Sequence, residues 1–349
     1  MPDAESWPAF AFTQDSVWGR CYQAFLREKY ERSGSQSTLD HYRQALILFF
    51  SDPAKLPDCY TREDVETFLH LPGRALGRIG NPPGVGTINN RLSVLSSFYS
   101  YAAGYTIAGE DGTPEPIMQR MSPATGLRHL QRTRPPYKGL TADELRRFFA
   151  AIPTETEQGI RDRALFIVYF FTARRRHEIV ALRWGDITEE VIADHEERRT
   201  AYVYRFSGKG HSRESDSAEL PKPAYDAIVR YLQVSGKADS IQKTDPVFTT
   251  CTDYHGKRGY DPHRPLQDVT VWHLVKHYAS LAGLDPAKVT VHSFRHTSAR
   301  MRYEDNPDIR AIQQLLRHAS LATTHEYIYM LMTVADTGAK LLESRFGKL

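Results

Sequence analysis

The sequence predicts a mainly α-helical chain with a small antiparallel β-sheet, divided into two domains. Three observations point there. Apolar residues recur at helical spacing through most of the 349 residues. One stretch, Tyr202-Val203-Tyr204-Arg205-Phe206, alternates as a strand does, and the turn Ser207-Gly208-Lys209-Gly210 follows it. Residues 126–140 contain Pro135-Pro136, several cations and no acid, as a linker would. The expected order is a tail at 1–12, a helical domain at 13–125, a basic linker at 126–140 and a second, α+β domain at 141–349 with its C-terminal tail.

The first domain reads as a four-helix module with one polar face. Ser16 to Tyr30 and Thr38 to Phe50 place apolar residues at helical spacing. Thr61 to Leu69 opens with Thr, Glu and Asp in its first turn, which suits the positive end of a helix. After the loop Gly80-Asn81-Pro82-Pro83-Gly84, Thr87 can cap a fourth helix. That helix carries Ile88, Leu92, Leu95, Phe98 and Tyr99 on one face and ends near Gly104. No residue pattern here suggests catalysis.

The second domain opens at the capping box Thr141-Ala142-Asp143-Glu144. Arg163 to Phe171 and Glu178 to Arg183 read as helices, followed by the strand and turn at 202–210. Pro221 to Leu232, Val269 to Leu281, Ser293 to Tyr303 and Pro307 to Arg317 read as further helices, with Asn306-Pro307 suited to a cap and first turn.

Composition excludes several classes. With 25% charged and 41% hydrophobic residues the chain is too apolar for wholesale disorder. The longest apolar run, Ala164 to Phe171, falls far short of the roughly 20 residues that cross a bilayer, so no membrane partner is expected. Met1-Pro2-Asp3-Ala4-Glu5 lacks the basic-then-apolar order of a signal peptide. Cys21, Cys59 and Cys251 stand too far apart for a disulfide framework or a cysteine zinc site, and a reducing cytoplasm is the expected setting.

The net charge of +3 does not by itself declare a nucleic-acid binder. Its distribution says more: residues 1–125 carry 11 Lys+Arg against 14 Asp+Glu, a net −3, and the remainder carries 34 against 28, a net +6. Arg128, Arg132, Arg134 and Lys138 in the linker can follow a phosphate backbone, although a solvated linker would look the same.

The densest cluster of reactive side chains is His292-Ser293-Phe294-Arg295-His296. Positions i and i+3 share a helix face, so His292 and Arg295 can reach one ligand while Phe294 packs elsewhere. Alone, the pentapeptide is also explained by a capping His and a surface Arg. Upstream lies Thr172-Ala173-Arg174-Arg175-Arg176-His177-Glu178, running into Ala181-Leu182-Arg183-Trp184. Downstream come Leu316-Arg317-His318-Ala319-Ser320 and Thr323-Thr324-His325-Glu326-Tyr327-Ile328-Tyr329.

Taken in order, these segments resemble the tyrosine recombinase (phage integrase) family, of the simple two-domain type. That family carries an Arg in a Thr-Gly-x-Arg-x-x-Glu segment, a Lys on a β-hairpin, a His-x-x-Arg-His, a Leu-Gly-His and a nucleophilic Tyr. By position, Arg175 matches the first arginine, Glu178 the acid, Lys209 the hairpin lysine, His292 and Arg295 the third element, His318 the second histidine and Tyr327 the nucleophile. Four departures stand out. The glycine before the first Arg is Ala173 within a run of three arginines, and the glycine before the second His is Arg317. The span from Ile187 to Arg205 is longer than in compact members, so an extended hairpin is expected. Tyr329 competes with Tyr327, and the Thr-Thr-x-x-Tyr register selects Tyr327.

The resemblance implies an N-terminal helical core-binding domain and a C-terminal catalytic domain that cleaves and rejoins DNA through a 3′-phosphotyrosyl bond and a Holliday junction. Arg175 and Arg295 would clamp the non-bridging oxygens, where planar, permanently charged guanidinium groups suit the developing charge. His318 would donate to a non-bridging oxygen, His292 or a neighbouring oxygen would assist loss of the tyrosine proton, and Lys209 would protonate the departing 5′-oxygen as general acid. Glu178 would orient its neighbours rather than bind metal, with His296 packed nearby and His325 on the surface. No cofactor and no metal ion is expected. His292 and His296 lack the glutamate that follows the first His of zinc proteases, and no Gly-rich phosphate loop is present.

The implied partners are duplex DNA with inverted-repeat core sites and three further copies of the chain, in a tetramer formed on DNA from free monomers or dimers. Only about 12 residues precede the first helix, leaving no room for an added arm-binding domain. Leu341, Leu342 and Phe346 at helical spacing suit docking either on a neighbouring protomer or on the chain's own domain. The rival readings are a type IB topoisomerase or hairpin-forming resolvase, a non-catalytic DNA-binding protein of this fold, and a metal-dependent nuclease.

Overall fold

The computed structural model describes residues 16–331, except 53, 76–77, 132–138, 195–196, 208–214, 251–263 and 319. They form two compact units, residues 16–131 and 139–331.

The first unit contains α1 (Val17–Ser33), α2 (Gln36–Phe49), α3 (Arg62–His70) and α4 (Val85–Ala103). Two short antiparallel hairpins accompany them: β1 (Arg74–Ala75) with β2 (Arg78–Ile79), and β3 (Thr106–Ala108) with β4 (Pro114–Pro116). Helix α1 starts where Ser16 Oγ accepts from Gly19 N–H at 3.0 Å and stops at Gly34, whose φ of 59° is left-handed. Thr61 and Asp64 form a reciprocal capping box on α3. Helix α4 differs from expectation. It begins on Gly84, which has no capping side chain, three residues before Thr87. The core is aromatic: Phe98 meets Phe25 at 5.4 Å and Phe50 at 5.3 Å, edge to face.

The second unit holds α5 (Ala142–Ala150), α6 (Glu157–Thr172), α7 (Arg176–Val180), β5 (Ile187–Asp194), β6 (Glu197–Ser207), β7 (Ser215–Glu219), α8 (Lys222–Val234), α9 (Asp268–Leu281), α10 (Val291–Asp305), α11 (Ile309–Leu316) and α12 (Leu321–Leu331). The sheet is antiparallel, in the order β5-β6-β7. The expected capping box opens α5, with Thr141 N–H on Glu144 at 2.8 Å and Glu144 N–H on Thr141 Oγ1 at 3.2 Å. Phe294 packs with Phe148 at 4.9 Å and Phe166 at 5.3 Å, which fixes the inward face of α10 and turns the remaining faces elsewhere.

Several expectations need correction. Helix α7 ends at Val180 rather than Arg183, because the chain at 182–183 pairs instead with 246–247: Val247 N–H donates to Leu182 O at 2.9 Å. Asp308, not Asn306-Pro307, caps α11, its carboxylate accepting from Arg310 N–H at 2.8 Å. Strand β5 and helix α12 were not anticipated as elements. The extended hairpin is present, β5 and β6 pairing from Ile187↔Tyr204 to Asp194↔Glu197. The apolar positions beyond Leu331 lie outside the described residues, as does Cys251.

Candidate active site

Helix α6 ends at a sharp corner. Ala173 takes a left-handed conformation, φ 51°, and Tyr169 Oη–H bonds to Arg176 O at 2.8 Å across the turn. The corner sends the three consecutive arginines to different places. Arg174 is buried, donating from Nε to Tyr204 Oη at 2.6 Å. Arg176 pairs with Asp268 at 3.2 Å. Arg175 becomes the N-cap of α7, where Glu178 Oε2 accepts its backbone N–H at 2.8 Å and Glu178 Oε1 accepts Nη1–H at 3.2 Å. Glu178 is fully buried at its side chain while Arg175 keeps 30% of its own exposed. A buried carboxylate thus holds a guanidinium that still faces outward.

Arg295 lies on α10, buried, and its two terminal nitrogens donate to Ala173 O and Leu316 O. Each carbonyl belongs to the end of a helix, α6 or α11, where partial negative charge collects. Burial first, then the nearby charge of Arg175, lowers the Arg295 pKa to about 10, so it stays a cation at neutral pH. His292 opens α10 with an exposed edge but a crowded ring. Burial and then the charges of Arg295, Arg176, Arg175 and His177 hold its pKa below the usual imidazole value.

His318 follows Arg317, the left-handed C-cap of α11. Its Nδ1 sits 3.0 Å from Oγ1 of Thr324, a fully buried side chain at the start of α12. Burial, then Arg295 and Arg175, lower its pKa to about 4. Tyr327, one turn beyond Thr324, packs its ring edge to face with His318 at 5.5 Å and flat against His296 at 4.9 Å. It lies in a small apolar cluster with Ala173, Ala299, Ile312, Leu316 and Ile328.

The structure therefore brings Arg175, Glu178, His292, Arg295, His318 and Tyr327 into one neighbourhood from α7, α10, the end of α11 and α12. Lys209 falls outside the described residues, between β6 and β7. So do Arg132, Arg134 and Lys138, whereas Arg128 is exposed on a segment that Asn89 ties to α4 through both polar groups of Leu130, at 2.9 and 2.8 Å. Among the described residues no three His, Cys, Asp or Glu side chains gather as a metal site, and no helix is long and apolar enough to cross a membrane.

Sequence reasoning missed Thr324 as the partner of His318, and missed the two carbonyls that hold Arg295. The Thr324 position was visible only as part of the register that selects Tyr327. It took Arg317 as a departure that adds a cation beside the site, without its backbone conformation. Ala173 and Arg317 are the two non-glycine residues at positive φ among the described residues, the same two positions where the family pattern has glycine. A side chain there costs about 1–2 kcal/mol of backbone strain.

The phage integrase family matches residues 138–333, more than half the chain. The chain belongs to the phage integrase family. Among relatives, the tyrosine recombinase XerD of Xanthomonas axonopodis pv. citri (strain 306) is 32% identical over 200 residues, covering 57% of this chain and 60% of that one. The tyrosine recombinase XerD of Mycobacterium leprae (strain TN) is 28% identical over 325 residues, covering 87% and 89%. The chain spans 60, 65 and 66% of the length of the first three curated relatives it matches. The fold of this integrase-family chain is also that of a solved XerH site-specific recombinase bound to difH substrate. There the TM-score is 0.61 at 17% identity, over 95% of this chain and 85% of that one.

Proposed function

We propose that this integrase-family chain is a site-specific DNA recombinase that cuts and rejoins strands through a covalent tyrosyl intermediate. The observation that carries the reading is the convergence of two held guanidinium groups, a histidine of depressed pKa and one tyrosine at a single place. Similarity to the XerD recombinases, and to a XerH recombinase solved on its difH substrate, supports it.

In this reading Tyr327 Oη attacks phosphorus, the O–P bond forming as the P–O5′ bond breaks. An unperturbed tyrosine titrates near 10, so its proton must leave during the attack, with His292 or a neighbouring oxygen as the acceptor. Arg175 and Arg295 stabilise the added negative charge on the non-bridging oxygens. His318 is neutral at pH 7, its Nδ1 3.0 Å from Thr324 Oγ1; in this reading Thr324 Oγ1–H donates to Nδ1, which leaves the ring proton on Nε2 to meet a non-bridging oxygen. Lys209 supplies the proton that the departing 5′-oxygen takes. Attack of a 5′-hydroxyl on the phosphotyrosine reverses each transfer, so the bond energy is conserved and no nucleotide cofactor enters.

The partners proposed are duplex DNA with inverted-repeat core sites and three further copies, joined as a tetramer through a Holliday junction, in the cytoplasm. Most contacts would go to phosphates, the cations of 126–140 among them. The test is strand exchange between two labelled duplexes in excess EDTA, using a core site that the protein selects from a randomised duplex pool. Recombinant duplexes and four-way junctions are expected. Relaxation of supercoils without exchange would favour a topoisomerase. Activity lost in EDTA and restored by Mg²⁺ would favour a metal nuclease.

A further inference from the structure

His318 is held by its own neighbourhood at every polar atom but one. Its backbone N–H donates to Gln313 O at 3.2 Å, and its carbonyl accepts from Gln313 Nε2–H at 3.0 Å, so one residue of α11 grips both sides of the backbone. Its ring nitrogen Nδ1 lies 3.0 Å from Thr324 Oγ1. Nε2 is left without a hydrogen-bond partner among the described residues.

The threonine behaves unlike the other hydroxyls on helices of this chain. Ser93, Thr172 and Thr297 turn back on the carbonyl four residues before, donating to Asn89 O at 2.9 Å, Val168 O at 2.6 Å and Ser293 O at 2.8 Å. Thr324, fully buried in the first turn of α12, turns to the histidine instead. Nδ1 is the one hydrogen-bond partner of its hydroxyl among the described residues. Were Nδ1 protonated, Oγ1 could only accept from it, and the buried hydroxyl proton would have no acceptor. The hydroxyl therefore donates, Nδ1 stays bare, and the neutral ring carries its proton on Nε2. An imidazolium needs protons on both nitrogens, so the same restriction opposes it. Burial, then the charges of Arg295 on α10 and Arg175 on α7, oppose it further.

Thr324 also stands one turn before Tyr327 on the same helix, and the Tyr327 ring packs edge to face on the His318 ring at 5.5 Å. One element thus carries both the hydroxyl that sets the histidine and the phenol beside it. We propose that Thr324 is a positioning residue that fixes His318 as an Nε2–H donor, so that seating α12 readies the histidine and Tyr327 together. The use made of that donor rests on the recombinase reading; the state of the ring does not. Thr324 itself does not touch the phosphate.

Nitrogen spectra of the free protein, isotope-labelled at histidine, read the tautomer directly. The chain has 14 histidines, and the His318 signals are those lost in His318→Gln. At pH 7 wild type should show a bare Nδ1 and a protonated Nε2. Thr324→Ser should keep that pattern. Thr324→Val, nearly the same in shape, should bring the two shifts toward each other as both tautomers fill. Ile328→Ala, which loosens the buried face of α12 without removing the bond, should move them the same way by less. On nicked duplexes carrying the selected core site, Thr324→Val should form the covalent adduct about tenfold more slowly, and Thr324→Ser at close to the wild-type rate. In a His318→Ala background Thr324→Val should cost nothing more, because it acts through the ring. A merely structural threonine would give additive losses. A proton on Nδ1 in wild type, or unmoved signals in Thr324→Val, overturns the assignment. Unmoved signals in Ile328→Ala overturn the coupling to α12, and additive losses overturn the link to the reaction. Wild type that forms no adduct would instead sink the recombinase reading, while the nitrogen spectra would still decide the tautomer.

Discussion

The two units bury different things. Among the described residues, the first unit has one buried polar side chain, Asn89, in a core of aromatic rings packed edge to face. The second buries Arg161, Asp162, Arg174, Glu178, Lys237 and Arg295. Burying a charge is expensive unless it is paired and hydrogen-bonded, so a unit that keeps several is organised around something other than stability. Some of these groups serve the fold alone: Asp162 accepts from Arg161 Nε at 2.8 Å and from Tyr278 Oη at 2.8 Å, far along α6 from the site corner. Glu178 fixes Arg175, and two carbonyls fix Arg295, the two cations proposed to meet a phosphate. The first unit is built on apolar packing and the second holds charges in place.

That contrast can be broken by mutation. The largest effect should come from Arg295→Ala, which deletes a cation proposed to stabilise the phosphate and leaves two helix-end carbonyls without their donor. Cleavage should fall by at least about 10²–10³-fold, the scale of losing one transition-state donor. Stability should also drop, measured by urea unfolding. Full cleavage in the variant would show that this buried charge is structural.

Phe98→Ala tests the other side. Removing this fully buried ring from the first core should cost about 3–5 kcal/mol of stability in denaturant titration. Single-turnover cleavage per folded, DNA-bound molecule should stay near wild type. A loss of chemistry beyond the loss of folded protein would mean that the first unit does more than fold.

A smaller effect concerns acid. The folded pKa of His318, about 4, lies below its ordinary 6.5, so the unfolded chain takes up this proton first as pH falls. Its contribution to stability is whole above about pH 6.5 and is lost progressively toward pH 4. His318→Gln should flatten the stability profile in that window, and an unaltered slope would contradict the assigned environment. Smallest of all, Asn89→Ala should cost about 1–2 kcal/mol, since it leaves both polar groups of Leu130 without their partner.

Much of the site was legible in the sequence because its parts are local motifs. Glu178 three residues after Arg175 picked out that arginine, though not the capping box the two form, and the spacing of His292 and Arg295 announced one helix face. What could not be read was long-range. Arg295 finds its acceptors 122 and 21 residues away, and no local pattern encodes that. Strand β5 was missed because Glu189-Glu190 interrupt its apolar alternation and its stability comes from pairing with β6. Helix α12 was missed because Thr323 and Thr324 are poor helix formers, offset by packing of Tyr327 and Ile328. The departures at Ala173 and Arg317 were visible as residues. That both sit at left-handed corners needed the backbone.

Tyr327 is the proposed nucleophile of this charged cluster. Tyr327→Phe removes one hydroxyl and should leave folding and DNA binding nearly intact. Incubated with a nicked duplex carrying the selected core site and run on denaturing gels, wild type and Tyr329→Phe should form a covalent protein–DNA adduct, and Tyr327→Phe should form none. An adduct that persists in Tyr327→Phe and vanishes in Tyr329→Phe would contradict the account.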